Sequence, residues 1–451
     1  MKIPETPPDK DEIFQEAINE PGKIIRLYKW AQPTDLKGRY LHWDKIRHLD
    51  PPEGFTTKEW WVAIKLARQS LYRPVTLLDT DQNKFQYAIP DGIEKDLHDL
   101  AKNAAGNLSS NEEIINPGLR KTYLIRSLIN EAINSSQLEG AATTTPVAKE
   151  MLRQGRKPKD ISEQMIQNNY FAMQFITDIK SEPLTPSIIF ELHKILTQNT
   201  LKNPEAAGKL RTQEDEVVVM DPIDGVILHV PPKSEELPER IERLCQFAND
   251  EDPKVFINPL VKAIILHFVL AYDHPFVDGN GRTARALFYW FAARQGYDLI
   301  SFASISRVLK EEHGQYKRAF LNTETDQNDL TYFIIHQISV IKKCIDILFA
   351  FLKKESEEIK QAEKYLEGKK LLKSLLNYRQ IALLKHALKR PRFIYTVYGH
   401  KNTHGVAYET ARKDLMDMAK KWNLLTIQKE GKSYVFKVPE DLRERIELAK
   451  Q

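Results

Sequence analysis

Apolar positions run almost unbroken from Leu260 to Tyr272, behind an Asn258-Pro259 start signal, and predict a buried helix. A second helical pattern spans Gly281 to Gln295 and closes at Gly296. The polar, glycine-containing stretch between them, from His274 to Asn280, is therefore expected to be a turn that enters the second helix. Upstream, Arg120 to Leu138 puts Leu124, Ile125, Leu128, Ile129, Ala132 and Ile133 on one face, the spacing of an amphipathic helix. Its end, Ser135-Ser136-Gln137-Leu138-Glu139-Gly140, places a glycine where a helix C-cap belongs. Two β-branched runs, Glu216 to Met220 and Val226 to Val230, flank Asp221-Pro222-Ile223-Asp224-Gly225 and predict a β-hairpin.

The same patterns organise the rest of the chain, and the expected class is mainly α. Residues 1–107 read as an N-terminal α+β extension, with packing aromatics Trp43, Trp60 and Trp61. A short hairpin, Val75 to Asp79 and Lys84 to Ala88, lies within it. A core spans 108–348 and includes the helix at 120–139; a charged helical linker follows at 349–372. In the tail, 373–442, Arg379 to Leu388 is helical, Tyr395 to His404 a polar turn, and Val406 to Trp422 a second helix. Leu424 to Ile427 and Ser433 to Phe436 then flank a basic tip, Lys429-Glu430-Gly431-Lys432. This is a winged helix-turn-helix in outline. Thr410, Arg412, Lys413 and Lys420 give its second helix donors for DNA phosphates, although such modules also dock partners.

Composition narrows the classes. With 451 residues and 42% hydrophobic content the chain can bury cores for two or three domains. A net charge of +4 demands no particular class of partner. Cys245 and Cys344 fall in helical patterns and suit a reducing cytoplasm. The first residues lack a basic-then-apolar leader, and no apolar run reaches spanning length, since Lys262 and His267 interrupt Leu260–Tyr272. A cytoplasmic protein without membrane contact is expected. His267 reads as a core histidine. Neither a Walker-type loop nor a zinc-type spacing of Cys and His is present.

The chemistry gathers in His274-Pro275-Phe276-Val277-Asp278-Gly279-Asn280-Gly281-Arg282-Thr283-Ala284-Arg285. Unpaired N–H groups and the aligned peptide dipoles make a helix start favourable for an anion. Gly279 and Gly281 let phosphate oxygens approach the backbone. Arg282 and Arg285, three apart, share a helix face, and each guanidinium can donate two hydrogen bonds to phosphate. Asp278 supplies the single carboxylate that Mg²⁺ takes when phosphates complete its shell. An imidazole at His274 can accept a proton from an attacking hydroxyl.

With every specified position filled, this stretch resembles the signature of the Fic family of protein adenylyltransferases, His-x-Phe-x-Asp/Glu-Gly-Asn-Gly-Arg-x-x-Arg. The resemblance implies a Fic-fold helical core and transfer of AMP from ATP to a Ser, Thr or Tyr hydroxyl of a target protein, and of the chain itself. It assigns His274 as base, Phe276 as loop anchor and Asp278 as the Mg²⁺ ligand. Gly279, Asn280 and Gly281 become the anion cradle, with Asn280 reaching the α-phosphate and Arg282 and Arg285 the β- and γ-phosphates. Ser135 to Gly140 is similar to the family's inhibitory motif, Ser/Thr-x-x-x-Glu-Gly/Asn. Ser135, Glu139 and Gly140 would then restrain the enzyme, Glu139 by pairing with Arg285. The hairpin with Val217, Val218 and Val219 becomes the flap that holds a target segment by strand-like pairing. Tyr316 corresponds to an aromatic beside the adenine. Removal of AMP, use of another nucleotide donor, and a nucleotide-sensing DNA-binding regulator are the alternatives, and a homodimer is expected only because dimers are the commonest oligomers.

Overall fold

Asn258 caps the long apolar helix in a computed structural model: its Oδ1 accepts the Leu260 N–H at 2.9 Å, and Pro259 occupies the first turn. The structure describes residues 1–18, 21–102, 117–250, 255–367, 375–430 and 433–448. It is mainly helical, with two two-stranded sheets and one of three strands among the described residues. No helix among them is long and apolar enough to cross a membrane.

The chain divides into two units. One comprises Met1–Ala105, Gln174–Tyr297 and Val308–Lys342; the other comprises Gly106–Met173, Asp298–Arg307 and Lys343–Gln451. This division differs from the boundaries expected from the sequence. The N-terminal segment shares a unit with the signature helices, and the helix expected at 120–139 shares one with the tail. Long-range polar contacts explain the first difference. Lys65 Nζ lies 2.9 Å from Asp326, Arg68 donates to the Tyr332 hydroxyl at 2.6 Å, and the Leu330 N–H reaches the Gln86 carbonyl at 2.8 Å. Periodicity along the chain carries no trace of such contacts.

In the first unit, helix Pro259–Asp273 is buried on nearly every side. Phe268 packs against Phe85, Phe320 and Phe333 with ring centroids 5.0–5.5 Å apart. Lys262 lies in this helix by running its stem along apolar rings and ending on the Asp250 carbonyl, 2.5 Å away. Helix Asn280–Arg294 follows after the signature turn and is buried all round as well. Trp43, Trp60 and Trp61 form a separate apolar cluster with Ile46 and Ile64.

In the second unit, helix Pro117–Leu138 buries Ile129 and Ile133 against Ala148 and Met151 of helix Thr145–Gln154 and against Ile166. The tail follows the order helix Tyr378–Lys389, strand Ile394–Thr396, helices Val397–His404 and Tyr408–Met416, then strands Thr426–Glu430 and Ser433–Lys437. The last strand lies between the other two, antiparallel to both.

Three local expectations differ from this. Tyr395–His404 is a strand end and a helix rather than a polar turn. Thr396 caps that helix through the Gly399 N–H at 3.0 Å, and its buried face carries His400 and His404, so polar composition hid it. The helix predicted to span Val406–Trp422 starts at Tyr408 and loosens into a π turn at Asp417–Lys421. The stretch read as a separate linker from residue 349 continues helix Thr331–Glu367. Residues 368–372, the boundary near 107, and Gly431 and Lys432 of the wing tip lie outside the described residues.

Candidate active site

The signature loop is shaped by its own side chains. His274 ends the buried helix at φ 45° and ψ 55°, with its N–H on the Leu270 carbonyl at 3.2 Å. Its Nδ1 lies 3.2 Å from the Ala271 carbonyl. A carbonyl only accepts, so this contact puts the proton on Nδ1 and leaves the lone pair on Nε2, as a base requires. Phe276 is fully buried, and the Asn280 amide clamps it from both sides, accepting its N–H at 2.9 Å and donating to its carbonyl at 2.7 Å. Asn280 is buried, so its amide shapes the turn instead of lining the open face.

Gly279 stands at φ 85°, where an added Cβ would lie 2.8 Å from Thr197 Cγ2. Glycine is required there for both reasons. It also leaves the following helix without a side-chain cap, so the first-turn amides of Asn280 and Gly281 remain open to an anion. Asp278 is exposed, and its Oδ1 accepts the Gly279 N–H at 2.6 Å. No group of three metal-ligating side chains occurs among the described residues. One exposed carboxylate therefore suits a hard cation only when phosphate oxygens supply most of its shell. Arg282 and Arg285 are both buried; Arg282 donates to the Leu196 carbonyl at 3.0 Å and sits 3.8 Å from Asp278.

Residues that the sequence reading passed over hold this loop in place. His193, on helix Pro186–Thr197, stacks on Phe276. Its Nδ1 accepts the Gly208 N–H at 2.9 Å, so its Nε2 carries the proton and donates to the Asp278 carbonyl at 2.9 Å. Burial lowers its pKa to about 4, ahead of a smaller opposing effect from that carbonyl, and keeps the ring neutral. Arg211 donates from Nε to the His274 carbonyl at 2.9 Å and from Nη2 to the Pro232 carbonyl, joining the loop to the base of the hairpin. A Gly208-x-x-Arg211 spacing just before a hairpin was the one available hint, while nothing local distinguishes His193. Asp273, next to His274, is buried on Arg240 at 3.1 Å; burial raises its pKa to about 7 against the pull of that arginine.

The predicted flap is shorter than its β-branched run. Only Val219–Met220 pairs, with Ile227–His229, while Val217 and Val218 lie outside the ladder because Glu216 turns the chain at φ 40°. His229 anchors the returning strand: Nδ1 meets Glu324 and Nε2 the Tyr272 carbonyl, both at 2.7 Å. Tyr316 is buried among Phe320, Phe333 and His336, with its hydroxyl 2.9 Å from His267 Nε2. It is a core residue here rather than an open platform for a base. In the second unit, Ser135 is buried near the end of helix Pro117–Leu138, and Glu139 is exposed on the turn that Gly140 closes at φ 94°.

Comparison with known proteins bears on this loop directly. The model of the Fic/DOC family matches residues 183–292. A protein adenylyltransferase Fic of Nematostella vectensis is 30% identical over 171 residues, covering 38% of this chain and 35% of that protein. A protein adenylyltransferase fic-1 of Caenorhabditis briggsae is 27% identical over 217 residues, covering 48% of this chain and 40% of that protein. A solved Fic family protein from Desulfovibrio desulfuricans G20 superposes with a TM-score of 0.49 at 15% identity, over 78% of this chain and 98% of that one. The chain thus spans less than half the length of each of these two curated relatives. The matched segment contains the signature loop and ends within the helix that the loop opens, so the likeness to the Fic/DOC family falls on the loop itself.

Proposed function

We propose that this chain transfers AMP from ATP to a Ser, Thr or Tyr hydroxyl of a target protein, and to itself. One observation carries the reading: a histidine with its lone pair on Nε2 stands at the mouth of an uncapped helix start. The target oxygen attacks the α-phosphorus, its proton passes to His274 Nε2, and the bond to the bridging oxygen breaks to release pyrophosphate. The amides of Asn280 and Gly281 meet the charge on the α-phosphate, while the Asn280 side chain keeps the loop in shape. Arg282 and Arg285 meet the leaving phosphates; for Arg282 this costs the bond to the Leu196 carbonyl. Asp278 would hold Mg²⁺, which screens phosphate charge when bound. The hairpin Val219–His229 offers an open strand edge to the target segment.

Glu139 restrains this activity by pairing with Arg285 and withholding it from the γ-phosphate. The Ser135–Gly140 spacing at a helix end supports this part of the proposal. The tail supports a docking role, with Arg412, Lys413 and Lys420 exposed for nucleic acid or protein. Incubation with Mg²⁺ and ATP labelled on the α-phosphate tests the central claim. Label is expected on protein with the wild-type chain and absent with His274→Ala. Equal labelling of the two would overturn the base assignment, and label carried by γ-phosphate instead would overturn the reaction.

A further inference from the structure

Away from the signature loop, the second unit contains a pocket of about 110 Å³ between helices Pro117–Leu138 and Thr145–Gln154 and the tail helices. Its charged wall is mainly arginine. Arg126 and Arg153 line it, with His386 and His404 kept neutral by burial and His400 set against Asp414 at 3.1 Å, and Glu150 is the only carboxylate among its described lining residues. Glu150 is exposed and accepts a hydrogen bond from Gln154 at 2.5 Å. Arg153 forms no ion pair among the described residues.

The field inside is correspondingly positive. Burial first, then the cations Arg153, Arg126 and Arg307, lower the pKa of Lys149 on the same helix. Burial and then Arg126 lower that of Arg153. Crowding like charges beside a cavity destabilises a fold unless an anion completes the site. His386 Nδ1 is 2.6 Å from the Tyr395 hydroxyl and His404 Nδ1 is 3.0 Å from the Thr122 hydroxyl. A hydroxyl that donates to Nδ1 leaves the proton on Nε2, where the neutral ring can donate to an anion.

We propose that this pocket binds a single phosphate group, free or as the monoester of a small metabolite. The Arg153 guanidinium fork and two imidazoles can supply donors on several sides, with Arg126 adding positive charge, which suits the tetrahedral, multiply charged oxygen shell of phosphate. The volume holds several water-sized atoms, enough for one such group and too little for a nucleotide base beside it.

Titration calorimetry on the full chain, with sodium phosphate against sodium chloride at matched ionic strength, tests the assignment. Glycerol 3-phosphate in a parallel arm separates the free ion from a monoester, and binding of either supports the site. Saturable binding is expected in the wild type, weakened at least tenfold in Arg153→Gln and retained in Arg285→Ala, which disables the signature loop instead. His386→Gln, expected to weaken binding several-fold, serves if Arg153→Gln does not fold. Absence of binding beyond chloride, or equal binding in wild type and Arg153→Gln, would overturn the proposal. Loss in Arg285→Ala alone would do the same, by moving the anion to the signature loop.

Discussion

The imidazole of His193 lies flat on the ring of Phe276, with centroids 3.7 Å apart and planes within 4°. Through this pair a helix far away in sequence sets the position of the signature turn, because the same imidazole also bonds the Asp278 carbonyl and the Gly208 N–H. His193→Phe keeps the stack and removes both bonds. It is expected to cost roughly 1–3 kcal/mol, since two partly buried backbone groups lose their partner. AMP transfer should fall with it. Urea unfolding and α-phosphate labelling check this; unchanged stability would show that the bonds are dispensable.

The same histidine sets a pH dependence. Its folded pKa is lowered to about 4, while an unfolded imidazole titrates near 6.5. Between those values the unfolded chain binds the extra proton, so stability is full above about pH 6.5 and falls as pH drops toward 4. His267, lowered to about 3 by burial first and then by Arg285 and His336, acts in the same direction. Comparing melting temperatures from pH 7 to 4.5 isolates the share of His193. The slope should be shallower in His193→Phe, and identical slopes would remove His193 from the account.

Gly279→Ala should damage the site more than its one added methyl suggests. The residue needs a positive φ, and the new Cβ would press on Thr197 Cγ2 and on His193 Nε2, 3.3 Å away. A loss of about 1–3 kcal/mol is expected, together with most of the transfer activity. Thermal melts and labelling decide the matter; a fully active, equally stable variant would show that the turn can adapt.

Glu139→Gly should raise labelling of the chain well above wild type, because the proposed partner of Arg285 is removed. The double variant Glu139→Gly, His274→Ala should show no label. Equal labelling of Glu139→Gly and wild type would discard the restraint.

His229 titrates in the opposite sense to His193. Burial alone would lower its pKa, but the Glu324 carboxylate, the Tyr272 carbonyl and Asp273 together outweigh it and raise the value above the ordinary one. Both ring nitrogens face acceptors, as an imidazolium requires. The anchor is therefore complete below about pH 6.5 and is lost as pH rises through the raised folded value. Glu324→Gln should speed amide exchange across Val219–His229 at neutral pH and flatten its pH dependence. Unaltered exchange would mean that the hairpin is held elsewhere.

Much of this site is written in local sequence. The buried helix announces itself through the apolar run behind Asn258-Pro259, and the turn through Gly279 and Gly281, because caps and periodicity act over a few residues. Contiguous chemistry made His274, Asp278, Arg282 and Arg285 legible for the same reason. Other features depended on residues meeting across the fold. His193 reads as one more helical residue until Phe276 and Asp278 are brought against it, and Arg211 acquires its role only where the His274 and Pro232 carbonyls converge. The helix Val397–His404 escaped notice because its buried face is polar. Local order is encoded by neighbours along the chain. The bracing of the loop, the true length of the flap and the cationic pocket follow from burial and hydrogen bonding between distant segments, which only the tertiary structure decides.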